Sequence, residues 1–268
     1  MIGNKIGPVL WDIDARGVAT VTLNRPEVNN AYNGKLIEGL LAALDALGSA
    51  ADLRAVVIKG NGKHFQAGAD LKWIDQVRKS SPADNLKASR DTAEAVQRLN
   101  VAPVPTVALV HGGCFGGGTG IVAACDIVLA AENAMFSIAE ARWGLHAGII
   151  IPQLVDAIGM RQVRRYALTG ERFGPQEACR IGLAHMVVPL VELENEGRRI
   201  VDHLLANGPD AIAQTKAWIM KSAWCDLDAA GFTALVESHS AKRQSPEAKE
   251  GLASFAEKRA ATWGNGRR

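Results

Sequence analysis

What the chain lacks narrows its chemistry first. Lys and Arg total 30 against 28 Asp and Glu, a net charge of +2, so no excess of one sign draws it onto phosphate backbones or anionic lipid. Neither nucleic acid nor membrane is an expected partner. No apolar run approaches the roughly 20 residues needed to span a bilayer. The opening stretch from Met1 to Asp12 has neither an apolar signal core nor an Arg- and Ser-rich transit pattern, and a soluble, cytoplasmic protein is expected. The four cysteines, Cys114, Cys125, Cys179 and Cys225, form no C-x-x-C pair and follow no secretory leader. They read as reduced, mostly buried thiols, and no metal site is expected. Internal repeats and low-complexity segments are absent too.

What is present suffices for a core. Hydrophobic residues make up 48% and charged residues 22% of 268 residues, ordinary values for an α/β domain with a helical annex. Val9 to Ile13 and Val18 to Leu23 read as an opening hairpin around Ala15-Arg16-Gly17, ended by Asn24-Arg25-Pro26. Helical spacing of Ile37, Leu40, Leu41, Leu44 and Leu47 predicts a helix over Lys35 to Leu47, followed by a buried strand at Ala55 to Ile58. A second helix, Pro82 to Leu99, leads to strand Thr106 to Val110, a short helix from Gly116-Gly117-Gly118, and strand Asp126 to Leu129. Repeated crossovers imply a mostly parallel sheet with helices outside. Beyond Pro189 the pattern is helical only: a stretch around Leu193 to Leu204, then Asp210 to Ser222, Leu227 to Ser238 and Pro246 to Lys258. Residues 1–189 therefore read as the core, and residues 190–268 as a helical region packing on that core or on a neighbouring subunit.

Three segments can carry chemistry. His64 to Leu71 leaves a strand through small residues and enters a helix; N–H groups there either bind an oxyanion or form an ordinary helix start capped by Asp70. Gly112 to Gly120 follows a strand, and its glycines permit close backbone approach. Gly118-x-Gly120-x-x-Ala123 imitates a dinucleotide fingerprint, but the next strand, at Cys125, follows too soon for a crossover helix. Two such turns can aim two amides at one developing oxyanion, an arrangement in which each donor is worth about 3 to 4 kcal/mol. The third segment, Ala134 to Leu145, sets Glu140 among apolar and small neighbours. Desolvation there raises a carboxyl pKa toward working pH, although a first-turn Glu also serves a helix dipole.

Phe65 to Leu71, Val104-Pro105-Thr106 through Gly116-Gly117-Gly118, Cys125 to Val128 and Glu140 together resemble the enoyl-CoA hydratase/isomerase (crotonase) superfamily. The likeness runs from Leu23-Asn24-Arg25-Pro26-Glu27 through Thr169 to Arg172 and Gly182-Leu183 to Glu250–Arg259. It implies a crotonase-like α/β spiral of repeated ββα units with a C-terminal helical trimerisation region, and a homo-trimer or a hexamer built as a dimer of trimers. The substrate would be an acyl-CoA thioester, coenzyme A arriving with it and no separate cofactor being needed. Ala69 and Gly117 would donate the oxyanion-hole amides. Ala67, Asp70 and Leu71 would lie along the coenzyme A path. Lys258 would reach nucleotide phosphates, although a solvated helix lysine explains it as simply.

Glu140 matches one of the family's two catalytic glutamates. At the other position, two residues past Gly118, stands Gly120. One carboxylate can serve a syn addition by taking a proton from water and returning it to the adjacent α-carbon; it can equally shuttle a proton between carbons, as the family's isomerases do. Gln66 to Trp73, Gly120, Glu140-x-x-x-Gly144-Leu145 and Arg165 to Thr169 look closest to hydratases of 3-branched glutaconyl-CoA, isohexenylglutaconyl-CoA first and 3-methylglutaconyl-CoA second, in acyclic-terpene or leucine breakdown. A cation would then face the distal carboxylate, with Arg142, His146 and Lys72 as candidates; His146 equally suits a buried, hydrogen-bonded role. A non-catalytic RNA-binding relative finds no support, because Lys35 to Leu47 holds one lysine and no arginine.

Overall fold

A computed structural model describes residues 3–222, 230 and 245–263. Cys225 and the expected helix Leu227 to Ser238, Ala230 excepted, lie outside the described residues. Nine strands are described: β1 (Gly3–Asn4), β2 (Val9–Ile13), β3 (Val18–Leu23), β4 (Ala55–Gly60), β5 (Thr106–Val110), β6 (Gly113–Phe115), β7 (Ile127–Ala131), β8 (Met135–Ser137) and β9 (Met186–Val188). The main sheet runs β1-β2-β3-β4-β5-β7-β9, and β6 pairs with β8 in a second, two-stranded sheet. Pairing is antiparallel through β3 and parallel beyond it. The opening hairpin closes where expected, Asp14 Oδ1 accepting the N–H groups of Arg16 (2.8 Å) and Val18 (3.0 Å).

The helices are α1 (Gly34–Gly48), α2 (Leu71–Lys79), α3 (Pro82–Asn100), α4 (Gly117–Ala123), α5 (Ile151–Thr169), α6 (Pro175–Ile181), α7 (Leu193–Leu205), α8 (Pro209–Ser222) and α9 (Pro246–Ala256). Their starts follow local chemistry: Asn33 caps α1 by accepting the Leu36 N–H at 3.0 Å, and Ser81 with Pro82 opens α3. Every residue of β5 is buried, which is why its sequence is continuously apolar rather than alternating. Leu36, Ile37 and Leu40 of α1 with Val96 and Leu99 of α3 cover one face. Leu193, Val201 and Leu205 of α7 cover the other, against Val57, Val107 and Leu129. Helix α8 is pinned by Lys216, 9% exposed, whose Nζ donates to Asp126 Oδ2 (2.7 Å) and the Val104 carbonyl (3.1 Å).

Two expectations are corrected. Gly113 to Phe115, read only as part of the glycine-rich stretch Gly112 to Gly120, is strand β6, paired parallel to β8; three residues are too few to show a period. Helix α9 stops at Ala256, and Lys258 stands beyond it in an exposed turn at φ +52°. The parallel strands β4 and β5 deliver their carboxyl ends to the loop 64–70 and to β6-α4, so the two glycine-containing turns meet at one end of the sheet.

Candidate active site

The loop 64–70 is held largely through its backbone amides. The N–H groups of Phe65, Gln66, Ala67 and Asp70 donate to His111, Gly113, Asn29 and Tyr32 carbonyls. Gly68, at φ +89°, donates to Oε1 of the buried Gln66 at 3.1 Å. Between Phe65 and Asp70, Ala69 alone has an N–H without an acceptor among the described residues. Across the cleft, the Gly116 N–H donates to the Ser137 carbonyl (2.9 Å), and Thr119 Oγ1 donates to the Gly116 carbonyl (2.6 Å). The N–H of Gly117, first residue of α4, likewise has no acceptor among the described residues. Two unengaged amides on separately fixed turns are what an oxyanion hole requires.

The glycines are required by close approach. A β-carbon on Gly117 would fall 2.6 Å from Cε1 of Tyr32, and one on Gly116 would fall 3.0 Å from Oε1 of Glu140. Glu140 opens a 3-10 turn, Glu140–Trp143, directly beyond β8. Its Oε2 is buried without a hydrogen-bond partner. Burial lifts its carboxyl above the usual carboxylate range, its own backbone amide pulling part of the way back. A carboxylate so placed is a stronger base than one in water.

Glu140, Ala69 and Gly117 line one cavity of about 330 Å³, together with Ala67 and Leu71. The structure thus brings five of the seven expected site residues to one place. Asp70 does not line it: its carboxylate caps α2 through the Lys72 N–H (3.1 Å) and pairs with Arg25 (3.1 Å). Lys258 is exposed and does not line this cavity. Of the cation candidates Arg142 lines it, whereas Lys72 and His146 do not; His146 Nδ1 accepts the Gly148 N–H at 3.0 Å.

Two lining side chains had been given no role from the sequence: Tyr32 and Arg172. Tyr32 is one of two tyrosines in the chain, a scarcity that could have singled it out, but nothing local shows that its ring reaches Gly117. Arg172 lies over the Phe115 ring, 5.3 Å from its centroid. Neither Arg142 nor Arg172 has a carboxylate partner among the described residues.

Comparison with known proteins identifies the family and the fold. The enoyl-CoA hydratase/isomerase family profile matches residues 14–266. The short-chain-enoyl-CoA hydratase of Clostridium acetobutylicum is 31% identical over 247 residues, 90% of this chain and 92% of the relative. The hydroxycinnamoyl-CoA hydratase-lyase of Pseudomonas fluorescens is 33% identical over 205 residues, 75% of this chain and 74% of that one. The crystal structure of an enoyl-CoA hydratase from Shewanella pealeana superposes with a TM-score of 0.91 at 31% identity, covering 97% of each chain. The α/β architecture is the crotonase fold, the protein is an enzyme of hydratase type, and the chain belongs to the enoyl-CoA hydratase/isomerase family.

Proposed function

We propose that the enzyme adds water across the double bond of a 3-branched glutaconyl-CoA, isohexenylglutaconyl-CoA before 3-methylglutaconyl-CoA, in acyclic-terpene or leucine catabolism. The observation that carries the hydratase chemistry is the unpaired, buried Oε2 of Glu140 in one cavity with the unengaged amides of Ala69 and Gly117. The thioester oxygen sits between the two amides, which take up charge as the α,β-double bond is attacked. Water gives one proton to the Glu140 carboxylate while its oxygen bonds the β-carbon. Glu140 then returns that proton to the α-carbon on the same face, so the enzyme ends in its starting protonation state.

Support for a dicarboxyl substrate comes from Arg142 and Arg172, two cations on the cavity wall without carboxylate partners among the described residues. Guanidinium groups recognise carboxylates through paired hydrogen bonds. Arg142 Nε is engaged by the Gly170 carbonyl at 3.0 Å, leaving its terminal nitrogens for a ligand. Ala67, Asp70 and Leu71 flank the coenzyme A path, Asp70 by fixing the start of α2, and Lys258 meets nucleotide phosphates at a neighbouring subunit of a trimer or hexamer in the cytoplasm.

Double-bond isomerisation is a second reading, favoured by one observation: Glu140 is the sole carboxylate lining the cavity among the described residues. Turnover of crotonyl-, 3-methylglutaconyl- and isohexenylglutaconyl-CoA, followed by product mass, tests both. A gain of one water on the branched substrates supports the proposal; a shifted double bond at unchanged mass moves the assignment to isomerase.

A further inference from the structure

Tyr32 touches both halves of the oxyanion hole. Its N–H donates to the Gly68 carbonyl (2.8 Å) and its carbonyl accepts from Asp70 (2.9 Å), so its backbone brackets the free amide of Ala69. Its ring lies against Gly117, the other donor, and an edge contact with Trp73, centroids 5.7 Å apart at 69°, fixes the ring plane. The neighbouring glycine, Gly116, carries the Glu140 carboxylate in the same way. Glu140 and the Tyr32 ring therefore meet on two consecutive glycines.

Two hydroxyl-bearing residues line this cavity among the described residues, Ser137 and Tyr32. Ser137 Oγ is committed to the Gly170 carbonyl at 2.9 Å. Tyr32 Oη has no hydrogen-bond partner among the described residues. Burial, followed by the negative charge of Glu140, pushes its pKa up to about 12. The phenol stays protonated beside the carboxylate and exchanges hydrogen bonds without acting as a base.

Resting on the hydratase reading, we propose that Tyr32 is a further catalytic residue, whose hydroxyl holds the water that Glu140 deprotonates. A water held by one carboxylate oxygen pivots about that contact; a second contact fixes its oxygen toward the β-carbon. No side chain at 120 can supply that contact, since Ile150 fills the space. Tyr32 keeps its own proton throughout, and the transferred proton passes from water to Glu140 to the α-carbon.

The test compares wild type with Tyr32→Phe in two reactions: hydration of the enoyl-CoA panel, and exchange of the α-protons of a saturated acyl-CoA with D2O, which needs Glu140 and the amides but no attacking water. Tyr32→Phe is expected to lower hydration kcat about 10- to 100-fold while KM and exchange stay within about twofold. Retained exchange also reports that the variant is folded. Unchanged hydration overturns the inference, and so do equal losses in both reactions, which place Tyr32 with the enolate or the scaffold. A wild-type enzyme that exchanges α-protons yet hydrates nothing overturns the hydratase reading and this inference with it; a hydrating wild type with an indifferent Tyr32→Phe sinks only the inference.

Discussion

Ile150 fills the space that a side chain on Gly120 would need: a β-carbon there would fall 2.2 Å from Ile150 Cγ2 and 2.7 Å from its Cβ. Ile150 is 2% exposed and cannot swing out to solvent. Gly120→Ala is therefore expected to cost about 1 to 3 kcal/mol through overpacking, read by chemical denaturation. Ile150→Ala alone opens a cavity and costs about 2 to 5 kcal/mol. Combined, the two changes should cost less than their sum, because each relieves the other. Additive losses would show that the two positions do not share this space.

Glu140→Gln should leave the cavity shape intact and remove the proposed acid/base. Hydration kcat is expected to fall about 10²- to 10⁴-fold with thioester affinity retained. In the proposed mechanism the working form is the carboxylate, and its pKa is raised. The acid limb of the kcat/KM profile should therefore lie above the ordinary carboxylate range, activity falling as pH drops through the raised value. Stability moves oppositely. A folded-state carboxyl that holds its proton more tightly than the unfolded chain makes folding less favourable as pH rises between the two pKa values. Glu140→Gln should thus stabilise the protein at neutral pH, with the gain disappearing below the unfolded carboxyl pKa of about 4.3. Denaturation at two pH values checks the sign.

The parts legible in the sequence were those set by periodicity or by residue type. The apolar spacing of Ile37, Leu40 and Leu44 announced α1, and the apolar run from Val107 to Val110 announced a strand. Small residues at Ala67, Gly68 and Ala69 and at Gly116 and Gly117 marked the turns that line the cavity. Tyr32 was illegible because its partners, Gly117 and Trp73, are remote in sequence and its own neighbours carry no pattern. Arg172 was hidden for the same reason, its ring partner Phe115 lying on a strand too short to be recognised. Asp70 illustrates the converse: it stands in the motif, while its side chain is occupied by Arg25 and the start of α2.

Replacing Arg142 and Arg172 separates recognition from chemistry. If the two guanidiniums meet a distal carboxylate, Arg142→Ala/Arg172→Ala should lower kcat/KM for the branched glutaconyl substrates by about 10- to 100-fold. Crotonyl-CoA, which has no second carboxylate, should change by less than about threefold. Equal losses on both substrates would assign the arginines to the wall of the cavity rather than to the carboxylate.

The ion pair beneath α8 gives the last test. Lys216 Nζ reaches Asp126 Oδ2 at 2.7 Å, and the same oxygen accepts the Thr106 N–H (2.7 Å) and O–H (2.8 Å). Asp126 thereby ties the start of β5 to α8, and its lysine partner is 9% exposed. Removing one member leaves a poorly solvated charge, so Lys216→Met is expected to cost about 3 to 5 kcal/mol. Lys216→Met with Asp126→Asn neutralises both sides and should recover part of that loss, because no isolated charge remains. The cavity residues are untouched by either change, so kcat per folded enzyme should hold steady while the denaturation midpoint falls. A loss of kcat at full folding would mean instead that the position of α8 reaches the reacting end of the site.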